Sequence, residues 1–198
     1  LEEGAELKRT GGTASGPIPL MQAVNEIGRR VMQGGSRRSA IYASLDDTHP
    51  DVFKFLHAKD WANMPVGNTG FTVHDVKQQD FNYPAPLDMT NISVNYSDAW
   101  LNLQERAKDE VFRQNCLQAL KTGEPGFSFN FGAKSNETLR NACTEVTSED
   151  DSDVCNLGSV NMGNIESLKE FEDIVALASK FLVCGTMRAD LPYAKVYE

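Results

Sequence analysis

No run in the 198-residue sequence approaches the roughly 18 consecutive apolar residues of a membrane-spanning helix, and the opening LEEGAELKRT lacks the apolar stretch of a secretory signal. A cytoplasmic protein with no membrane partner is therefore expected. Basic residues are the minority: 19 Lys and Arg against 28 Asp and Glu give a net charge of −9. That balance disfavours a broad nucleic-acid interface but leaves room for local basic loops. Cysteines number four and histidines three. Four irregularly spaced thiols do not form a secreted disulfide framework in a chain of this length, so reduced thiols are expected. With no CxxC or HxxxH pair, the ligand spacing of zinc is missing, and no metal site is expected.

What the sequence does hold is an alternation of helical and extended stretches punctuated by Gly and Pro, which points to an α/β fold. Pro17 suits the first turn of a helix that carries Ile18, Met21, Val24, Ile27 and Val31 at helical spacing as far as Gly34-Gly35, with one face expected to be buried. SAIYASL (39–45) reads as a strand. Thr48 and Pro50 open a second helix with Val52, Phe53 and Leu56 on one side. Residues 60–88 lack a clear period and read as a long excursion with one short helix near 74–79; such excursions often face a partner or carry function. MTNISVNY (89–96) reads as a strand, followed by a helix from Ala99 and another that ends before Gly123. The Glu124-Pro125-Gly126 turn then feeds the strand-like FSFNF. The strongest helical signal, 166–184, aligns Leu168, Phe171, Ile174, Leu177, Ala178 and Phe181.

Three stretches carry chemistry. Lys8-Arg9-Thr10-Gly11-Gly12-Thr13-Ala14-Ser15-Gly16 leads into a helix start, where glycines let backbone amides approach an anion. It is neither a Walker A loop nor a dinucleotide fingerprint, and a phosphate site and a flexible turn both fit it. Gln33-Gly34-Gly35-Ser36-Arg37-Arg38 sets a mobile backbone beside guanidiniums that can fork onto phosphate, and it equally fits a helix cap with exposed arginines. The third stretch is Asn141-Ala142-Cys143-Thr144-Glu145, followed by Cys155-Asn156-Leu157-Gly158-Ser159-Val160-Asn161. If 141–145 is extended, period two places Asn141, Cys143 and Glu145 on one side. A neighbouring carboxylate disfavours a thiolate, so a cysteine-hydrolase nucleophile fits poorly. A neutral thiol beside a general base suits hydrogen-atom transfer through sulfur. Buried cysteines in a strand and turn are the plainer alternative, and Cys116 and Cys184, on predicted helices among apolar neighbours, match that description.

GGTASGPIPLM, MQGGSRRSAI, SLDDTHPDVFKFLHAKD, MTNISV, TGEPGFSF, NACTEV and CNLGSVNM follow the order seen in the large catalytic subunit of ribonucleotide reductases. The chain resembles that family from about residue 5 to its end. CNLGSVNM and the closing FLVCGTMRADLPYAKVYE look most like the adenosylcobalamin-dependent class II members rather than class I. The resemblance implies a partial ten-stranded α/β barrel with a finger loop. Residues 1–198 would form one partial domain, with 1–60 carrying effector loops and dimer-type helices and 89–198 the barrel strands, helices and finger loop.

By the same resemblance, Cys143 matches the finger-loop cysteine that becomes a thiyl radical and abstracts the 3′-hydrogen. Glu145 matches the base for the 3′-hydroxyl, Asn141 the amide that bonds the sugar hydroxyls, and Cys155 one of two reducing cysteines. Lys8, Arg9, Gly11, Gly12 and Ser15 fall in the loop that holds the phosphates of a deoxynucleoside triphosphate effector. Gln33, Gly34, Gly35 and Arg37 fall in the loop that relays effector identity, where Gln33 and Arg37 match contacts to substrate base and phosphates. The implied partners are a ribonucleoside di- or triphosphate, a thioredoxin-like reductant and a second copy in a homodimer. The second redox cysteine and the other half of the barrel are expected outside these residues, so the isolated chain is expected to be an internal fragment without turnover. A non-catalytic nucleotide-binding or oligomerising role is the alternative.

Overall fold

The computed structural model describes residues 1–31, 38–105, 109–132, 139–149 and 153–190. Its centre is a parallel sheet in the order β1 (Ile41–Asp46), β2 (Thr90–Ser97) and β3 (Gly126–Asn130). Ala43 pairs with Ile92, Leu45 with Val94, and Val94 in turn with Phe127, so the apolar residues of all three strands share one face. That face packs on α2 (Val52–Leu56) and α5 (Glu110–Thr122) and closes a core of Val52, Phe55, Leu56, Leu87, Ile92, Val94, Tyr96 and Trp100. Aromatic rings thicken it: the Tyr96 centroid lies 4.8 Å from that of Trp100 and 5.6 Å from that of Phe112. Tyr96 donates its buried hydroxyl to Asn115 Oδ1 at 2.9 Å, and Asn115 donates to the Pro125 carbonyl at 2.8 Å, so these two side chains satisfy their polar atoms inside the core.

Local chemistry fixes the connecting elements. Thr72 and Asp75 form a reciprocal capping box at the start of α3 (Val73–Gln79), where the sequence predicted a short helix. Between β2 and α5 lies the short α4 (Asp98–Leu101). Asp109 caps α5 by accepting from Val111 N, and Gly123, at φ +85°, ends it. The hairpin of β4 (Leu139–Arg140) and β5 (Thr147–Ser148) follows β3. Ser167 caps α6 (Leu168–Arg188).

Several expectations about packing are corrected. In α1 (Pro17–Arg30) the buried positions are Asn25 and Gly28, while Val24, Ile27 and Val31 of the predicted apolar stripe are exposed along with Leu20. The helix turns this way because Asn25 Oδ1 accepts from Met89 N and Thr90 Oγ1, both at 2.9 Å. Gly28 also permits close contact, since a Cβ there would lie 2.7 Å from Ile41 Cδ1 and 3.2 Å from Ser39 Oγ and force those side chains to shift. On α2 the buried aromatic is Phe55, and Phe53 faces outward. Along α6 the predicted stripe is at most half-buried: Leu168, Leu177 and Phe181 are exposed, and so is Cys184. The expected mixed α/β class is present, with a parallel sheet that is open and three-stranded among the described residues, where no helix is long and apolar enough to cross a membrane.

Candidate functional site

Parallel sheets are usually apolar on both faces because helices cover both. Here the second face is largely polar, although Tyr42 of β1 and Gly126 of β3 also lie on it. Ser44 and Asp46 of β1, Asn91, Ser93 and Asn95 of β2, and Ser128 and Asn130 of β3 fall on it, by the same register that sends their neighbours into the core. Asn95 donates to Ser44 Oγ and Asp46 Oδ1, both at 3.1 Å, and Ser128 donates to Asn130 Oδ1 at 3.2 Å. A sheet face of amides and hydroxyls suits a hydrophilic ligand rather than a packed helix. The sequence carries the signal in the alternation of Asn91, Ser93 and Asn95 with Ile92, Val94 and Tyr96.

The segment bearing Cys143 sits against this face as a turn between β4 and β5, not as an extended strand, so period-two alternation does not group Asn141, Cys143 and Glu145. Asn141 closes the turn. Its N–H donates to Val146 O at 3.2 Å, its Oδ1 accepts from Val146 N at 3.1 Å, and its carbonyl accepts from Thr144 N at 3.0 Å. Thr144 adopts a left-handed backbone at φ +72°, which is costly for a β-branched residue and is the kind of local strain that clusters at functional sites. Asn91 Nδ2 donates to the Ala142 carbonyl at 2.7 Å, and Arg140 reaches Asn130 Oδ1 at 3.1 Å. Cys143, Glu145 and Cys155 are exposed, and no hydrogen bond or ion pair joins the three among the described residues. Past Cys155, Asn156 Nδ2 donates to Thr186 Oγ1 of α6 at 2.6 Å, and Leu157, Val160, Ile165, Ile174 and Phe181 line an apolar cavity of about 700 Å³.

The first glycine loop is the tip of a small hairpin. Glu6 bridges Thr13, Leu7 N donates to Gly12 O at 3.0 Å, and Ala14 N donates to Ala5 O at 2.8 Å. Gly11 and Gly12 have φ of +71° and +84°, a conformation that only glycine adopts without strain. Lys8, Arg9, Gly11, Gly12 and Ser15 are all exposed along it. The helix that follows begins Pro17-Ile18-Pro19, so two of its first-turn positions carry no N–H. Any anion held here depends on the hairpin backbone and the two basic side chains more than on the helix terminus. The second loop, with Gln33, Gly34, Gly35 and Arg37, lies outside the described residues.

The end of α1 that leads into that second loop is tied to the start of β2. Arg29 donates to both carboxylate oxygens of Asp88 at 2.7 Å and to the Ala85 carbonyl at 3.1 Å, and Lys77 approaches Asp88 at 3.3 Å. Burial works against ionisation of Asp88, but the bonds from Arg29, Asn25 and the Ala85 amide outweigh it and hold its carboxyl below the usual carboxylate range. Neither Arg29 nor Asp88 stands out in the sequence, because nothing in its spacing relates two residues 59 positions apart.

A family model described as the ribonucleotide reductase barrel domain matches residues 2–197. A vitamin B12-dependent ribonucleoside-diphosphate reductase of Mycobacterium tuberculosis (strain ATCC 25618 / H37Rv) is 27% identical over 210 residues, which cover 90% of this chain and 27% of that protein. A second B12-dependent reductase, from Thermoplasma acidophilum, is 29% identical over 160 residues, or 77% of this chain and 20% of that protein. A ribonucleoside-diphosphate reductase large chain of Schizosaccharomyces pombe is 26% identical over 195 residues, or 79% of this chain and 24% of that protein. The chain thus spans about a quarter of the length of the curated relatives it matches.

Proposed function

The chain belongs to the ribonucleotide reductase barrel-domain family, a family of oxidoreductases, and on that premise we propose that it supplies the catalytic thiol and the nucleotide-responsive loops of a reductase making deoxyribonucleotides for DNA synthesis. The observation that carries the reading is the strained Cys143 turn hydrogen-bonded onto a sheet face made of amides and hydroxyls. The names of the relatives favour a ribonucleoside diphosphate as substrate.

In this reading a thiyl radical at Cys143 takes the 3′-hydrogen atom and becomes a thiol. Glu145 accepts the 3′-hydroxyl proton while the 2′-hydroxyl, protonated, leaves as water. Cys155 and a second cysteine supply two electrons and two protons, one proton leaving in that water and the other ending as the new hydrogen on the 2′-carbon, and become a disulfide; Glu145 returns its proton to the 3′-oxygen, Cys143 returns its hydrogen atom to the 3′-carbon, and a thioredoxin-like dithiol protein reduces the disulfide. Asn141 uses its Oδ1 to close its own turn, which leaves Nδ2 to donate to a sugar hydroxyl. Adenosylcobalamin, favoured by the B12-dependent relatives, supplies the radical when bound. The exposed Cys143 sulfur suits a group that meets it from outside the chain.

Lys8, Arg9, Gly11, Gly12 and Ser15 would hold effector phosphates, and Gln33, Gly34, Gly35 and Arg37 would respond to the effector and touch the substrate. The remaining strands of a ten-stranded barrel would pair with this sheet. The exposed stripe Leu20, Val24, Ile27 and Val31 favours a homodimer formed through α1, with the effector loops of residues 1–60 beside it.

Hydrogen exchange with two separate ligands tests this assignment. A ribonucleoside diphosphate should slow exchange at Asn91–Asn95 and Asn141–Val146, and a deoxynucleoside triphosphate should slow it at residues 5–16. Saturating ligand with both regions unaltered would refute the reading.

A further inference from the structure

We propose that Asn91 and Arg140 are positioning residues that fix the Cys143 thiol over the polar sheet face, an inference that rests on the reading of Cys143 given above. The two side chains hold the peptides on either side of Cys143 and the strained Thr144. Asn91 Nδ2 donates at 2.7 Å to the Ala142 carbonyl, which belongs to the peptide entering Cys143. Arg140 Nη1 donates at 3.4 Å to the Thr144 carbonyl, in the peptide that leaves toward Glu145, while its Nη2 anchors on Asn130 Oδ1 at 3.1 Å.

Asn91 stands on β2 and Asn130 on β3, so the turn is referenced to two different strands of one rigid sheet. A single tether would let the turn pivot about its point of attachment. Two tethers, flanking the Cys143-Thr144 dipeptide, set both its height and its rotation. The turn needs such support because Thr144 holds φ +72°, a conformation that persists only where the surroundings over-determine it. The Cys143 side chain itself makes no hydrogen bond among the described residues. The tethered backbone therefore sets its placement, and the exposed sulfur is free of any disulfide.

The test uses the 198-residue chain without nucleotide, so that its failure is separable from failure of the reductase reading, which rests on the ligand-dependent exchange described above. Asn91→Asp keeps the shape but removes the donor. It should speed exchange at the Asn141–Val146 amides by about fivefold, the equivalent of one hydrogen bond, and raise the alkylation rate of Cys143 relative to Cys155 by a similar factor. Exchange along β2 should stay within twofold. Asn91→Gln restores a donor of longer reach and should recover most of the protection, a rescue that a merely space-filling role does not predict. Arg140→Gln, which removes the bridge to Asn130 without touching β2, should give the same local change and guards against a folding defect in the Asn91 variants. Unaltered exchange and alkylation in both Asn91→Asp and Arg140→Gln, or loosening of the turn and β2 to the same degree, would overturn the assignment.

Discussion

Replacing Arg29 by Met cuts the link between α1 and the start of β2 while keeping most of the side-chain volume. The Asp88 side chain is 3% exposed and that of Arg29 12% exposed, so the substitution strands a buried carboxylate that had two charge-assisted bonds of 2.7 Å. Removing one partner of a buried pair costs about 3–5 kcal/mol. Asp88 keeps weaker bonds to Asn25 and the Ala85 amide, both at 3.3 Å, and Lys77 at the same distance, which brings the expected loss to about 2–3 kcal/mol. In a chain of this size that corresponds to a melting point lower by about 5–10 °C. The pH dependence follows from the depressed carboxyl of Asp88. Its contribution is whole above the unfolded value of about 4 and vanishes as pH falls through the lower folded value. Urea unfolding at neutral pH should therefore separate Arg29→Met from the parent chain, and the gap should narrow near pH 3. A loss below about 1 kcal/mol at neutral pH, or a gap that does not close in acid, would refute this account of the network.

Three further outcomes are expected. Gly28→Ala places a Cβ 2.7 Å from Ile41 Cδ1 and should cost about 1–3 kcal/mol in a denaturant titration, with much of the loss recovered by adding Ile41→Val. Burial raises the carboxyl of Asp47, with Asp109 and Asp46 adding repulsion, so the charged form is disfavoured in the fold; Asp47→Asn should raise the melting point above the carboxylate titration range and make little difference well below it. Paired substitution Leu20→Gln/Ile27→Gln on the exposed stripe of α1 should weaken self-association in sedimentation while leaving the melting of the monomer nearly unaltered, because neither side chain is buried within the chain.

The elements that local chemistry determines could be read directly. Gly123 ending α5, the short helix near 74–79 and the strand-forming run MTNISVNY each reflect a preference expressed within a few residues. Which face of a helix is buried could not be read in that way. Periodicity in α1 singled out Val24, Ile27 and Val31, yet the inner side is set by Asn25 and Gly28, a polar residue bonded to a strand start 64 positions away and a residue whose virtue is having no side chain. The turn around Cys143 escaped for a related reason. Its shape depends on the Asn141 side chain accepting from the Val146 N–H and on Thr144 taking a left-handed conformation, neither of which side-chain alternation encodes. The candidate site residues came from residue type and motif order, whereas Asn91, Asn130 and Arg140 emerged only once the strands were in register.

The role given to Cys143 is tested most directly by isotope exchange in the proposed reductase. With a ribonucleotide tritiated at the 3′-carbon, Cys143→Ser should abolish release of the label, while Cys155→Ser should retain that release and lose sustained formation of deoxyribonucleotide. Release of tritium by the Cys143→Ser enzyme at the parent rate would contradict the assignment.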